Sequence, residues 1–303
     1  MKALITGSNG LLGQKLTPLL LEKKVEVIAT GKGPDRTHTE NVNYRYLELD
    51  ITDRDQVLNI VKTHKPDVII NTAALTNVDQ CESENEACRK LNVDAVEYLV
   101  NACEQNGCHL IHLSTDFIFD GENGPYTEDD QPNPISFYGQ SKLDAEALIT
   151  KSALKWSILR TVLVYGIVPN MSRSNIILWV KESLESKKDI KVVTDQWRTP
   201  TLAEDLAMGC YLAAIKEAQG VFNISGKDML TPYDMSIKTA DYFNLDKSYI
   251  AKADSTTFSQ PAKRPPKTGF VIDKAINELG FDPHSFDEGI AIVDKQVKAA
   301  KIQ

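Results

Sequence analysis

The chain has 303 residues, of which 42% are hydrophobic and 25% charged, a composition typical of a globular protein with one large domain or two smaller ones. Its 34 basic and 42 acidic side chains give a formal net charge of −8, which argues against broad binding to nucleic acids or anionic membranes. No apolar run reaches the roughly 18 residues that a membrane span requires, and we expect no signal peptide because the N-terminal residues lack its pattern.

The first predicted element is a strand that runs directly into a glycine-rich turn and a helix. Residues 2–6 are mostly apolar, and residues 7–13 have the spacing G-x-x-G-x-x-G. We expect Gly7 to permit a tight turn, Gly10 to let the backbone approach a pyrophosphate, and Gly13 to let helix and strand pack closely. The N–H groups at the start of the helix would then face the phosphates. This segment predicts dinucleotide binding.

A second predicted strand, 25–30, bears on the choice of cofactor. A cofactor without a 2′-phosphate usually meets an acidic residue at the end of this strand, and here there is none. Lys32 and Arg36 follow instead and could pair with a 2′-phosphate, so NADP(H) is the favoured cofactor. If these two side chains only form a solvated basic loop, NAD(H) remains open.

Two further strands, 44–49 and 67–71, are predicted before the next long helix. The first ends at Asp50, where the amino group of an adenine could be bound. The second is apolar over 68–70, as expected of a strand that is covered on both faces of its sheet. It ends before Ala73 and Ala74, whose small side chains would allow the close approach of a nicotinamide ribose.

A capping-box pattern at 83–86 predicts the start of a long helix that ends near Gly107. A fifth strand, 110–114, follows this helix. Its carboxyl end delivers Ser114, Thr115 and Asp116 to the edge of the sheet where ligands bind in open parallel sheets.

Tyr138 and Lys142 lie four residues apart in a helical pattern, so we expect both side chains on one helix face. There the ammonium of Lys142 could lower the pKa of the Tyr138 phenol and hold a cofactor ribose, so that the tyrosine exchanges a proton near neutral pH. Thr115 could hydrogen-bond the same substrate oxygen. We therefore predict that these three residues are catalytic. A surface helix without function is the alternative that the spacing alone leaves open.

Strand and helix alternate six times in the first half of the chain, which predicts an α/β protein with a Rossmann-type, doubly wound parallel sheet. The regular alternation of strand and helix ends after residue 166. We predict a dinucleotide-binding Rossmann domain over 1–165, with a returning segment near 195–225. A smaller C-terminal α/β substrate-binding domain is predicted from 166–194 and 226–303.

The loop 263–267 is a basic cluster with two prolines in an otherwise acidic protein. It is either a solvated loop or an anion-binding loop, since a substrate pyrophosphate needs a basic partner.

The cysteines bear on the cellular compartment. Their number is odd, and no two of them form a C-x-x-C pair. We therefore predict free, buried thiols in a reducing cytoplasm, and we predict no metal site. The cysteines are Cys81, Cys88, Cys103, Cys108 and Cys210.

Taken together, these residues resemble the extended short-chain dehydrogenase/reductase family and, within it, the subfamily of dTDP-4-dehydrorhamnose reductases. The resemblance covers nearly the whole chain. The motifs that carry it are Gly7-x-x-Gly10-x-x-Gly13, Thr76-x-Val78-Asp79-x-x-Glu82, Ser114-Thr115-Asp116-Phe117-Ile118-Phe119, Tyr138-Gly139-x-x-Lys142, Asp195-Gln196 with Pro200-Thr201, and Arg264-Pro265.

The resemblance implies NAD(P)H-dependent reduction of the 4-keto group of a nucleotide-activated deoxysugar. Tyr138 would protonate the developing alkoxide, Lys142 would bind the nicotinamide ribose, and Thr115 would tune the sugar carbonyl. The cofactor-binding residues that it implies are Gly7, Gly10, Leu11, Leu12, Gly13, Lys32, Asp50, Ile51, Ala73, Ala74, Tyr138 and Lys142. The substrate-binding residues that it implies are Thr76, Val78, Thr115, Asp116, Phe117 and Arg264.

Three positions depart from the subfamily pattern and leave the sugar and the base open. Leu75 and Phe117 stand where polar aromatic residues are usual, and Leu163 stands where a tryptophan packs on the deoxysugar. Another sugar-nucleotide epimerase or dehydratase is one alternative function, although Phe117 after Asp116 counts against a dehydratase, which needs an acid there. A non-catalytic regulatory subunit on the same fold is the other. Relatives can form dimers, so a homodimer is also open.

Overall fold

The computed structural model of the chain describes residues 1–37, 39–169 and 174–300. The strands are β1 (Lys2–Thr6), β2 (Glu26–Gly31), β3 (Tyr44–Glu48), β4 (Val68–Asn71), β5 (His109–Thr115), β6 (Trp156–Thr161), β7 (Val164–Tyr165), β8 (Ile190–Val193), β9 (Thr201–Leu202), β10 (Gly220–Asn223) and β11 (Ile250–Ala253). The helices are α1 (Leu11–Glu22), α2 (Arg54–His64), α3 (Val78–Ser83), α4 (Asn85–Arg89), α5 (Ala95–Asn106), α6 (Phe137–Thr150), α7 (Ile176–Glu185), α8 (Ala203–Ile215), α9 (Pro232–Tyr242) and α10 (Phe286–Ala300). Positions 170–173 and 301–303, which fall in the predicted substrate-binding domain, lie outside the described residues.

Seven parallel strands form the central sheet in the order β3-β2-β1-β4-β5-β6-β10. The chain runs outward from β1 to β3 on one side and from β4 to β6 on the other, so the strand order reverses between β1 and β4. Parallel pairs such as Ala3–Val27 and Ala3–Val68 place the carboxyl ends of these strands at one edge. This confirms the predicted doubly wound sheet, whose ligand cleft is expected at the point of reversal.

Helices cover both faces of the sheet because its central strands are apolar on both sides. One core cluster joins Ile5 of β1 to α1 and α8, with Leu16 and Leu206 among its buried residues. The opposite cluster joins Leu4 of the same strand to α2, α5 and α6, with Leu99 among its members. Each fully buried aliphatic side chain of this size contributes about 1.5–3 kcal/mol to folding.

The C-terminal part adds smaller cores beside the sheet. Helices α7 and α9 pack with the parallel pair β8–β11 around Val180, Leu184 and Ile190. Strand β10, which follows α8, pairs with β6 at the edge of the central sheet. The division into two domains at the residues given above remains a prediction. Over the described ranges, no helix is both long enough and apolar enough to cross a membrane.

A helix begins within the predicted segment 83–86, at Asn85, but the capping box predicted there does not form. Ser83 is instead the last residue of α3, and its hydroxyl donates to the carbonyl of Gln80 at 3.2 Å. Helix α4 begins at Asn85 after Glu84, which makes no side-chain cap. A π-helical turn over Lys90–Asp94 then separates α4 from α5. The pattern is misleading because the chain ends one helix there before it begins the next.

Candidate active site

The glycine-rich turn between β1 and α1 is tightly packed at two of its glycines. Gly7 has φ +68°, and a Cβ atom there would lie 2.9 Å from the backbone of Ala73 after β4. A Cβ atom on Gly13 would lie 2.4 Å from the Cα of Ser8. Both positions therefore exclude a side chain, Gly7 also by its conformation. The turn thus lies directly against the small residues that follow β4.

Gly10, the remaining glycine of this turn, leaves room for a ligand. A Cβ atom on Gly10 would approach only the carbonyl oxygen of Gly7, at 3.3 Å. Gly10 precedes α1 without a side-chain cap, and the first backbone bond of the helix runs from Gln14 N to Gly10 O at 3.0 Å. The N–H groups of Leu11 and Leu12 therefore have no partner within the helix. An uncapped helix start beside an open glycine fits a pyrophosphate.

The loop after β2 is folded against this turn by Asn9. The Asn9 amide donates to the carbonyl oxygens of Lys32 at 3.2 Å and Pro34 at 3.0 Å, and its oxygen accepts from Arg36 N at 3.0 Å. The hydroxyl of Tyr46 adds a 2.6 Å bond to the carbonyl of Gly33. The side chains of Lys32 and Arg36 remain exposed on the outside of the loop.

A cavity of about 530 Å³ lies beside the carboxyl end of β3. Lys32 borders it and pairs with Asp50 at 2.8 Å. Burial raises the pKa of Asp50, but hydrogen bonds from Lys32 and Thr52 outweigh this and hold that pKa below its ordinary value. Ile51 is buried in the core and offers no exposed side chain. The residues that line the cavity are Lys32, Glu48, Asp50, Gln56, Asn59 and Ile60.

The loop after β4, which carries Ala73 and Ala74, is fixed by the π-helical turn. Asn92 in that turn is buried, donates to the carbonyl of Leu75 at 3.0 Å and accepts from its N–H at 2.8 Å. The same amide bonds to Ser141 of α6 at 3.1 Å. Asn92 therefore links the wall of the cleft to the helix that carries Tyr138 and Lys142.

Helix α6 begins with a firm cap that positions Tyr138. Ser136 accepts from the N–H of Gly139 at 3.1 Å. A Cβ atom on Gly139 would lie 2.1 Å from the carbonyl oxygen of Phe117, so only glycine lets the first turn approach this loop. The Tyr138 ring is 8% exposed and meets the Phe117 ring edge-on, with the ring centroids 5.9 Å apart.

The ionisation of Tyr138 and Lys142 differs from expectation. Burial raises the pKa of Tyr138, and a hydrogen bond from Thr115 only partly offsets this. Burial also lowers the pKa of Lys142 to about 8. The Lys142 ammonium donates to the carbonyl of Leu113 at 2.6 Å and lies 3.0 Å from Nε2 of His112. The pKa of the Tyr138 phenol is therefore not lowered as expected, because burial is the largest influence on it.

Thr115 and Asp116 lie at the carboxyl end of β5. Asp116 is 2% exposed, and its carboxylate accepts from the hydroxyls of Thr115, at 3.1 Å, and of Thr268. Burial raises the pKa of Asp116, and Arg198, whose Nε lies 3.8 Å from the carboxylate, counteracts the rise. The carboxylate of Asp116 is thus bonded within the protein, and its contact with a sugar stays a prediction. Thr115 remains the residue of this pair that adjoins Tyr138.

Arg264 also has a partner within the protein. Its guanidinium binds both carboxylate oxygens of Asp79, at 3.2 and 2.7 Å, and is about one-fifth exposed. Of the other predicted substrate contacts, Thr76 is exposed and Val78 packs in the cluster around Tyr138. The basic loop is thus tied to α3, the helix that follows Thr76.

Four residues of this site were not singled out from the sequence. Arg198 lies between the recognised pairs 195–196 and 200–201, and Thr268 follows the basic loop, so proximity to those motifs was the available signal. Asn71 and His112 stand in strands that otherwise read as apolar. A polar residue inside such a strand was the signal for these two.

Leu163 has φ +37° and is 45% exposed just after β6. A non-glycine residue in this left-handed conformation is uncommon and marks a constrained turn.

The five cysteines are all buried and unpaired. Among the described residues, no three His, Cys, Asp or Glu side chains are grouped so that they could hold a metal ion.

Comparison with known proteins places these features in a family. The profile described as "RmlD substrate binding domain" matches residues 1–298. The chain is 31% identical to methionine adenosyltransferase 2 subunit beta of Danio rerio, over 87% of this chain and 80% of that protein. It is 30% identical to the probable low-salt glycan biosynthesis reductase Agl14 of Haloferax volcanii, over 97% of each chain.

Solved structures similar to this chain include two dTDP-4-dehydrorhamnose reductases. The dTDP-4-dehydrorhamnose reductase of Clostridium acetobutylicum is 29% identical, with a TM-score of 0.86 over 98% of this chain and all of that chain. The dTDP-4-dehydrorhamnose reductase of Bacillus anthracis, solved in complex with NADP, is 25% identical, with a TM-score of 0.84 over 97% of this chain and 99% of that chain.

Proposed function

The chain belongs to the RmlD substrate binding domain family, within the extended short-chain dehydrogenase/reductases, and we propose that it uses NAD(P)H to reduce the 4-keto group of a nucleotide-activated deoxysugar. The observation that carries this proposal is that Thr115 is bonded to Tyr138, and that Lys142, on the same helix as Tyr138, is bonded to β5 near its carboxyl end. A dTDP-linked substrate, as in dTDP-rhamnose biosynthesis, is the finer form of the proposal.

The residues at the strand reversal fit a dinucleotide. Gly10 and the uncapped start of α1 would hold the pyrophosphate, and the cavity beside Asp50 would take the adenine. Ala73 and Ala74 would adjoin the nicotinamide ribose. When bound, the reduced nicotinamide supplies the hydride.

The protein side chains supply the proton and hold the substrate oxygen. Tyr138 donates its phenolic proton to the oxygen that becomes the alcohol, and burial keeps the phenol protonated by raising its pKa. The Thr115 hydroxyl, which donates to Asp116 in this structure, would turn to donate its hydrogen to the same oxygen and so orient the carbonyl. Lys142 provides an ammonium hydrogen to the ribose. Arg264 would turn from Asp79 to the substrate pyrophosphate.

NADPH is the preferred cofactor in this proposal. Lys32 and Arg36 are exposed on the loop after β2, where a 2′-phosphate would lie, and no acidic residue ends that strand. Equal affinity for NADH and NADPH would contradict the preference. We also propose a cytoplasmic location, which the five free thiols support.

A second candidate function is that of a non-catalytic subunit. It is favoured by one observation, namely that a relative 31% identical over most of this chain is named as the beta subunit of an adenosyltransferase. In this role the fold would bind a nucleotide without turning it over. The buried, intact Thr115, Tyr138 and Lys142 favour the reductase.

A substrate screen separates the two candidates. The purified protein is mixed with NADPH or NADH and a panel of nucleotide 4-ketosugars, and oxidation of the nicotinamide is followed by absorbance. A reductase consumes the cofactor with at least one sugar. Tight NADPH binding by calorimetry without turnover across the panel would contradict the proposal and favour the subunit.

A further inference from the structure

We propose that His112 is a positioning residue that holds the ammonium of Lys142 at the catalytic centre by accepting one of its hydrogens. The inference rests on the proposed reductase function. His112 is not within the residues predicted from the sequence, and it reaches the substrate only through Lys142.

A row of buried polar side chains leads to Lys142. Thr6, Asn71 and His112 are paired in register across β1, β4 and β5, and none is more than 1% exposed. The contacts run from Thr6 Oγ1 to Asn71 Oδ1 at 2.6 Å, and from Asn71 Nδ2 to His112 Nδ1 at 3.0 Å. The last contact joins His112 Nε2 to Lys142 Nζ at 3.0 Å.

Packing alone does not require polar residues in this row. Two residues earlier on the same strands, the same sheet face carries Leu4, Ile69 and Leu110, all fully buried in the core. The change from aliphatic to hydrogen-bonding side chains occurs in the layer that faces Lys142. A buried polar group is costly unless it is bonded, so a complete chain of bonds indicates a function at its end.

The imidazole can bond Lys142 only in particular hydrogen arrangements. An ammonium is a donor, so Nε2 of a neutral His112 must accept and Nδ1 must carry the proton. Asn71 then presents its oxygen to Nδ1 after a half-turn of its amide. If Lys142 is a neutral amine, Nε2–H donates to it and the amide nitrogen donates to Nδ1. The proton position on His112 and the orientation of the Asn71 amide can thus change together when Lys142 gains or loses its proton.

The surroundings of Lys142 make this acceptor important. The titratable groups around it are Tyr138 and Glu146 on its own helix, Cys88 on α4 and His112 on β5. Glu146 is already bound by Arg160 through two bonds, of 3.1 and 2.8 Å. The two nearest acceptors for the ammonium are therefore neutral, the carbonyl of Leu113 and His112. They use two of its three hydrogens and leave one for a ribose hydroxyl.

Removal of the acceptor should move the pH dependence of the reaction. Burial lowers the pKa of His112 well below its ordinary value, and the positive Lys142 adds to this, so His112 accepts as a neutral ring. Without His112 the charged form of Lys142 is less favoured, so the Lys142 pKa falls from about 8. Since the proposed reaction needs the ammonium, activity would be lost at a lower pH.

The test compares His112→Leu, His112→Gln and the control His109→Gln by pH profiles of kcat and KM. His109 is a buried histidine of the same strand that bonds Ser157 at 2.9 Å, at the opposite end of β5. We expect His112→Leu to shift the alkaline limb of kcat down by about one to two pH units. His112→Gln keeps a side-chain acceptor, so its alkaline limb should lie close to that of the parent protein. His109→Gln should leave the alkaline limb where it is in the parent.

A second readout does not need turnover. In the cofactor-free protein, ¹⁵N NMR should show the His112 proton on Nδ1 below the pKa of Lys142 and its transfer to Nε2 above that pKa. Lys142→Met should abolish this switch. A rate that falls equally at every pH in His112→Leu, or a His112 tautomer that ignores Lys142→Met, would overturn the proposal. If the parent protein reduces no ketosugar, the reductase function fails, and the NMR result still decides whether His112 holds Lys142.

Discussion

Replacing Arg198 by methionine should destabilise the protein strongly, although Arg198 makes only a long ion pair. Its Nε lies 3.8 Å from the Asp116 carboxylate, and both side chains are under 10% exposed. At an effective dielectric constant of about 20, this pair is worth about 4 kcal/mol before desolvation is counted. The guanidinium also donates to the carbonyls of Trp197, Pro265 and Pro266 at 2.8, 2.7 and 3.3 Å. We expect Arg198→Met to cost about 3–5 kcal/mol of unfolding free energy, because it leaves a buried carboxylate without its cation.

Urea denaturation with a double-mutant cycle measures this effect. Asp116→Asn added to Arg198→Met should recover a large part of the loss, since the buried charge is then gone. Lys238→Met is the matched control: its bond to Asp287 is shorter, at 2.8 Å, but both side chains are at least one-third exposed, so its removal should cost under about 1 kcal/mol.

The pH dependence gives a further check on the same variant. Burial raises the pKa of Asp116 in the folded state, so its cost to stability is present at neutral pH and is relieved as pH falls through the folded pKa. Loss of Arg198 raises that pKa further. The stability gap between Arg198→Met and the parent should therefore shrink as the pH falls from about 7 towards about 4, the pKa of an unfolded Asp. A loss under about 1 kcal/mol, or a gap that widens as the pH falls, would refute the reasoning.

Three further predictions concern activity. Tyr138→Phe should lower kcat by about 10²–10⁴-fold with little change in cofactor affinity, measured by steady-state kinetics and calorimetry; a near-normal rate would remove Tyr138 from the mechanism. Lys32→Ala should weaken NADPH binding by about tenfold and leave NADH binding unchanged, so an equal loss for both would rule out a 2′-phosphate contact. Arg264→Gln should raise KM for the nucleotide sugar by about 10–100-fold with kcat little changed, and an unaltered KM would leave the Arg264 loop without the proposed contact.

The sheet was predictable because each of its strands carries a local signal. An apolar run followed by glycines, as at Gly7, specifies a strand and its turn whatever the rest of the chain does. The periodicity that predicts strands and helices depends only on neighbouring residues, so six alternations were enough to give the doubly wound class.

The inner contacts of the site were not predictable in the same way. The bond from Thr268 to Asp116 joins residues 152 positions apart, and no local pattern encodes such a pairing. The pairing of Arg264 with Asp79, over 185 positions, is of the same kind. Sequence motifs singled out Asp116, Asp79 and Arg264, whereas the partners of these residues depend on how the chain folds back. The capping-box error at Ser83 has the opposite origin, since there a local pattern was overridden by the end of the preceding helix.

The segment after the basic loop is interwoven with the Rossmann core. Tyr126 N donates to the carbonyl of Gly269 at 2.8 Å, Val271 N donates to Tyr126 O at 2.9 Å, and Phe270 lies in the same apolar cluster as the first strand. Truncating the protein after residue 225 would therefore remove part of the hydrophobic core of the N-terminal fragment. We expect such a fragment to be insoluble or partly unfolded when expressed alone, so engineers who wish to exchange substrate preference between relatives should graft individual loops and leave the two halves joined.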